Sequence, residues 1–435
     1  MKKKKLKKKV SIGLLIMVLI LVGGICYLLL NPQKEEKKDL LPKEPTILEQ
    51  VSKKLETIDI DFLKWIDKEY PNSLKKLLPL LDSYDESVWH KATGYSYRVL
   101  QDFYQKKYES LDNITVFDTK PSATLTFVGD VSLADNWFVA PKYDERGQGI
   151  YGILSEDVVK IMTESDLMVV NSEFTVSNRG TAMRGKQYTF RASPSRLPIY
   201  KEMGVDLVTL ANNHVYDFGR DAFLDMLDAF DEVKMPRIGA GRNLEEAMKP
   251  YYFIIGGYKF AFLNATRAEK YILTPGATET SEGVFRCYDR TNLLNQIKKV
   301  KEDTDYLITI IHFGKENYHT LEEEQVASAK AYIDAGSDAI VGHHAHVLQG
   351  VEIYNEKPII YNLGNFIFNS ETVDTAIFQM KLKEDGTFDY YMIPALQKDT
   401  KVTLQTGVEG QRIINNLNSW SVNATINEDG KINKK

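Results

Sequence analysis

Residues 204–219 read GVDLVTLANNHVYDFG. Leu207 to Leu210 is an apolar run of strand length. It stops at Asn212, Asn213 and His214, and Asp217 and Gly219 follow. From Arg220 to Phe230 apolar residues recur at helical spacing. The stretch therefore predicts a strand, a polar loop and a helix, with an amide, an imidazole and a carboxylate at the strand's carboxyl end. In α/β sheets that end is where ligands bind. Taken alone, the same residues could simply cap the following helix.

Four other apolar runs end the same way. Thr124–Val128 runs into Gly129-Asp130, and Leu167–Val170 into Asn171-Ser172-Glu173. Leu307–Ile311 runs into His312-Phe313-Gly314-Lys315-Glu316, and Ala339–Val341 into Gly342-His343-His344-Ala345-His346. Of the seven histidines in the chain, His214, His312, His343, His344 and His346 follow such runs. Clustered imidazoles repel one another when protonated, so their repetition at strand ends asks for a ligand. Imidazole, carboxylate and amide together suit a divalent transition metal such as manganese, zinc or iron. The available donors are Asp130, Glu173, Asn213, His312, His344 and His346, enough for one or two ions. His344 and His346 are two apart and in an extended segment would point to one side, leaving His343 to face away as a structural residue.

Around these runs the chain alternates strands and helices. Further strands are expected at Phe253–Ile255, Phe260–Leu263 and Ile359–Asn362, and helices at Ser155–Thr163, Pro194–Met203, Thr291–Val300 and Leu321–Ala335. Such alternation implies an α/β layered domain, here spanning residues 121–398. Thr375–Lys383 and Thr387–Ile393, parted by Glu384-Asp385-Gly386, read as a hairpin. Residues 399–435 are polar and read as a tail with frayed ends.

The N-terminus has a different character. Residues 1–9 hold seven lysines, and the 21 residues Val10 to Leu30 carry no charge. At ~1.5 Å per residue that run reaches roughly 31 Å, the thickness of a bilayer core. The nearest small-x-small candidate, Gly24-Ile25-Cys26, is a poor cleavage site, and Tyr27 to Leu30 continue the apolar run past it, so the run reads as a transmembrane anchor rather than a cleaved signal. The bulky Ile25 before Cys26 argues against lipidation there. The positive-inside rule places residues 1–9 in the cytoplasm and everything after Leu30 outside the cell membrane. Residues 31–46 read as a linker, and 47–118 as a helical stalk. Net charge is −5 for the whole chain and −12 without its first nine residues, which excludes sequence-independent nucleic-acid binding. Cys26 and Cys287 are the two cysteines, too far apart for a disulfide framework or a zinc knuckle.

The ordered motifs Gly-Asp, Asn-x-Glu, Ala-Asn-Asn-His-x-x-Asp-x-Gly, His-x-Gly-x-Glu, Gly-His-His-x-His-Val-x-Gln-Gly and Leu-Gly-Asn-Phe resemble the CapA family of poly-gamma-glutamate capsule biosynthesis proteins. Tyr188–Ala192 and Gly239–Asn243 are similar to it as well, and the likeness covers Thr124 to Phe368. That family is in turn similar to calcineurin-like metallophosphoesterases, which implies a four-layer αββα sandwich. By that resemblance Asp130 and His346 would hold a first metal and Asn213, His312 and His344 a second, with Glu173 bridging. His214 would stand near the leaving group, oriented by Asp217. Ser132 replaces the histidine of the phosphoesterase Asp-x-His pattern, and the bridging position is Glu rather than Asp. The implied role is assembly and export of poly-gamma-glutamate, or a related anionic polymer, beside membrane-embedded synthase and export subunits. A plain extracellular phosphoesterase and a non-catalytic scaffold are the competing readings.

Overall fold

The computed structural model describes residues 111–117, 122–255, 258–269, 273–383 and 386–435. The chain divides into two compact units, Met1–Asp112 and Asn113–Lys435. The anchor, the linker and residues 47–110 of the expected stalk lie outside the described residues. Among the described residues no helix is long and apolar enough to cross a membrane.

Two mixed sheets form the second unit. One runs Lys401–Leu404, Phe388–Lys398, Val373–Leu382, Ala123–Val131, Leu167–Ser172, Leu207–Thr209 and Arg237–Ile238, with Asn365–Ile367 paired beside Ala123–Val131. The other runs Ile114–Val116, Tyr251–Ile255, Tyr258–Thr266, Tyr306–His312, Ala339–His343, Lys357–Ile360 and Val351–Tyr354. Ile114–Val116 pairs in parallel with Tyr251–Ile255, so the end of the expected stalk belongs to this unit, and the domain starts earlier than residue 121.

Side chains alternate across each strand, and the alternation sorts the core into layers. Leu125, Phe127, Val169 and Leu207 of the first sheet pack with Phe260, Phe262, Ile308 and Val341 of the second, filling the space between the sheets. Their neighbours Val128, Val170 and Val208 point the other way, onto Val158 and Met162 of the helix Glu156–Thr163 and onto Phe223 and Leu227 of the helix Gly219–Glu232. On the second sheet's outer face Leu263, Leu307 and Ile311 meet Leu293 and Ile297 of the helix Thr291–Lys301, and Tyr332 and Ile333 of the helix Glu323–Ala335. Helices, sheet, sheet and helices make the four layers.

The polar tail expected over 399–435 is folded instead. Gly407–Trp420 is a helix, and its Ile413, Ile414 and Leu417 enter the core between the sheets. Lys401–Leu404 is a strand, and Ala424–Ile426 pairs with Ile432–Lys434. Three apolar residues on one helical face are enough to dock a segment that is otherwise polar.

The parallel strands share a starting device. Asp166, Asp206, Asp305 and Asp338 each stand just before a strand. Each donates its backbone N–H to a carbonyl of the adjacent strand and accepts, through Oδ2, the N–H of that same residue. The partners are Thr124, Met168, Lys259 and Leu307, and the carboxylate bonds are each 2.8 Å long. This two-point clamp sets the register at the end of the sheets opposite the strand ends that carry the histidines. Burial pushes the Asp206 carboxyl up to about 6. A raised carboxyl contributes stability that is present below its unfolded value near 4 and lost as pH rises through 6. Asp206→Asn keeps an acceptor for Met168 without the charge. It should raise stability at pH 7.5 by about 1–2 kcal/mol, allowing for solvent screening. The gain should vanish below about pH 4, and urea unfolding at the two pH values checks both halves.

Candidate metal centre

Three strands of the first sheet deliver donors to one place. Ala123–Val131, Leu167–Ser172 and Leu207–Thr209 are adjacent and parallel, so Asp130, Glu173 and Asn213-His214 emerge side by side. Tyr306–His312 and Ala339–His343 are adjacent and parallel in the second sheet, and bring His312, His344 and His346 to the same end. Gly129 and Gly342 allow the approach. A Cβ on Gly129 would lie 1.9 Å from the Gly364 carbonyl oxygen, and one on Gly342 1.9 Å from that of Tyr361. Only glycine fits where backbone meets backbone this closely.

Glu173 lies at the middle of the cluster and is fully buried. Its Oε2 accepts from Asn171 at 3.2 Å, while Oε1 has no hydrogen-bond partner. Around Oε1 stand the Nε2 atoms of His312 at 3.6 Å, His346 at 3.8 Å and His214 at 4.0 Å. Asp130, also fully buried, accepts from Asn171 at 2.8 Å and from the backbone N–H of His344 at 3.2 Å. His343 Nδ1 stands 3.1 Å from Asp130 Oδ1, and His346 Nδ1 3.4 Å from Oδ2. Asn213 Oδ1 accepts from His312 Nε2 at 2.8 Å.

The electrostatics split the two acids. Burial works to raise Asp130, but hydrogen bonds from His343 and His346 outweigh it and hold the carboxyl well below its usual range. Burial, then the Asp130 charge, pushes Glu173 well above its own. Burial holds His312 well below the ordinary imidazole value, and burial with the neighbouring His346 charge brings His344 down to about 3. Both rings are therefore neutral at pH 7, the form that ligates a metal.

These residues fit a divalent ion. Two donors each about 2.0–2.2 Å from one ion lie at most about 4.4 Å apart. The Glu173–imidazole separations fall inside that limit, yet are too long for hydrogen bonds. Glu173 Oε1 and His344 Nδ1 are both buried without partners, a costly arrangement unless something binds there. Asp130, Glu173 and His312 form one group of donors within 4.8 Å of one another, and Glu173, His344 and His346 a second. Glu173 is common to both, as a bridging ligand would be. These groups place His312 with Asp130 and His344 with His346, whereas the family resemblance puts His312 with His344.

Beside the donors, His214 Nδ1 meets Asp217 Oδ2 at 2.7 Å. A carboxylate only accepts, so Nδ1 carries the proton and Nε2 faces Glu173. Asp217 Oδ2 also accepts the Phe190 N–H at 2.7 Å. Its other oxygen pairs with the ammonium of Lys186 at 2.6 Å. That ammonium also meets Glu269 at 2.8 Å and donates to the Asn213 carbonyl. Lys186 thus ties together the loop that holds Asn213 and the acid that orients His214.

Two details of the sequence reading change. His343 does not face away, because its ring reaches Asp130. His344 and His346 are not extended: their φ values are 93° and 58°, in the left-handed region that non-glycine residues enter at a cost. Both rings reach the centre nonetheless, 6.0 Å apart. Lys186, and the linking role of Asn171, were missed. Asn171 sits inside a motif the sequence singled out. Lys186 lies in an aperiodic loop and carries no signal of its own.

The family model described as "Bacterial capsule synthesis protein PGA_cap" matches residues 124–370. The "Capsule biosynthesis protein CapA" of Bacillus anthracis is 29% identical over 307 residues, covering 68% of this chain and 72% of that protein. The "PGA biosynthesis protein CapA" of Bacillus subtilis (strain 168) is 29% identical over 321 residues, covering 71% and 80%. Among solved structures, a hypothetical protein from Thermus thermophilus aligns with a TM-score of 0.39 at 16% identity, over 63% of this chain and 99% of that one. With more than half its length matched by the family model, this chain belongs to the PGA_cap family of bacterial capsule synthesis proteins.

Proposed function

We propose that this chain is a membrane-anchored, outward-facing component of poly-gamma-glutamate synthesis and export, and that its metal centre, on a metallophosphoesterase-type framework, acts on the polymer chain by hydrolysis or transfer. The family membership supports the polymer. The observation that carries the chemistry is Glu173 Oε1, buried and unpartnered among three imidazole nitrogens. A divalent ion bound there would act as a Lewis acid on the reacting group. Asp130, Glu173, Asn213, His312, His344 and His346 would hold it. His214, fixed by Asp217 through Nδ1–H, presents Nε2 toward the centre, and a ring protonated at Nε2 as well would pass that second proton to the leaving group. Synthase and export subunits in the membrane are the expected partners, reached through the apolar segment Val10–Leu30.

The test separates holding the metal from moving the proton. His344→Ala in the full-length protein should lose most of its metal by elemental analysis, and cells carrying it should make little surface polymer. His214→Ala should keep the metal and still fail to make polymer, a loss of about 100-fold or more for a general acid. Wild-type polymer in both variants would sink the proposal. Chelator-sensitive turnover of an aryl phosphate by the purified protein would favour the phosphoesterase reading instead.

A further inference from the structure

The two site imidazoles that reach solvent most are His214 and His346, with side chains 10% and 14% exposed. Both lie against one aromatic cluster. The Phe190 ring is 4.4 Å from His214, the Phe368 ring 4.8 Å from His346, and the two phenyl rings are 5.5 Å apart. Trp137 packs on Phe190 at 4.8 Å and on Tyr188 at 5.6 Å, and Phe138 follows at 4.7 Å from Trp137. Phe138 and Tyr188 are 45% and 51% exposed. The aromatic surface thus begins at the opening of the centre and runs outward to solvent. Large rings left exposed beside such a centre mark a ligand surface.

One charged feature narrows the ligand. Arg184 is exposed on the same loop as Tyr188, two residues from the anchored Lys186. Resting on the polymer reading above, we propose that Trp137, Phe138 and Tyr188 form the platform that seats an extended, carboxylate-bearing polyamide chain at the opening of the metal centre. Its methylene groups lie on the rings, and its carboxylates face Arg184. An anionic polysaccharide offers carboxylates without the run of methylenes.

Binding of fluorescent poly-gamma-glutamate to the detergent-solubilised full-length protein tests this. The Phe138→Ala/Tyr188→Ala double variant should bind about tenfold more weakly, with metal content and unfolding midpoint unchanged. Tyr188→Phe should bind like wild type, and Arg184→Gln should weaken binding and flatten its salt dependence. Wild-type affinity in the double variant overturns the platform and leaves the polymer reading intact. No binding by wild type overturns both. Tighter wild-type binding of hyaluronate than of poly-gamma-glutamate assigns the rings to sugar and overturns the platform. A loss shared by Tyr188→Phe, or accompanied by loss of metal, also overturns it.

Discussion

Lys186→Met should destabilise the domain by about 3–5 kcal/mol, the usual result of removing one partner from a buried ion pair. The Lys186 side chain is 1% exposed and that of Asp217 0%. Removing the ammonium leaves the Asp217 charge out of water, with His214 and the Phe190 N–H as its remaining hydrogen-bond partners. Glu269, 20% exposed, can turn toward solvent and should contribute less. The Asn213 carbonyl and Thr274 would also lose a donor. At about 2–4 °C per kcal/mol, the unfolding midpoint should fall by roughly 6–20 °C. Adding Asp217→Asn removes the stranded charge, so the double variant should recover part of the loss. A single variant within 1 kcal/mol of wild type at pH 7.5 would mean that Asp217 gives up its charge readily. The ion-pair account of how His214 is held would then fail.

That lysine also shows where sequence reasoning stops. The donors were legible because each follows an apolar run, and in a parallel sheet the ends of such runs gather on one side. Which donors become neighbours was not, since it depends on sheet order. Glu173 lies between Asp130 and Asn213 because Leu167–Ser172 pairs on both sides, and nothing within the Asn-Ser-Glu motif states this. His343 was read by alternation, which ceases to apply once the backbone at His344 turns left-handed. The aspartates at 166, 206, 305 and 338 were not singled out in the sequence, because their shared role appears only when each reaches a neighbouring strand. The helix Gly407–Trp420 was hidden by composition: Ile413, Ile414 and Leu417 are few, and they dock only because an open end of the inter-sheet core awaits them.

Glu173→Gln should produce two opposite results in one protein. Stripped of metal, the variant should be more stable than wild type at neutral pH. Burial and the Asp130 charge raise the Glu173 carboxyl, so its contribution to wild type is present below the ordinary carboxylate range and lost as pH rises through the raised value. Glutamine carries no charge to desolvate, and its carbonyl oxygen can occupy the same space. The advantage should therefore shrink in acid, where wild type is protonated too. With metal the order should reverse. A ligand at a thousand times its dissociation constant stabilises the folded state by about 4 kcal/mol, and manganese or zinc should do this for wild type. Glutamine lacks the anionic oxygen common to both donor groups, so the variant should gain little from the same addition. Thermal unfolding with and without metal, at pH 5 and 7.5, reads all four states. If metal stabilises the variant as much as wild type, Glu173 does not bridge the centre. If the metal-free variant is the less stable of the two at pH 7.5, the carboxylate is needed for folding itself, and its bare oxygen is not being kept for an ion.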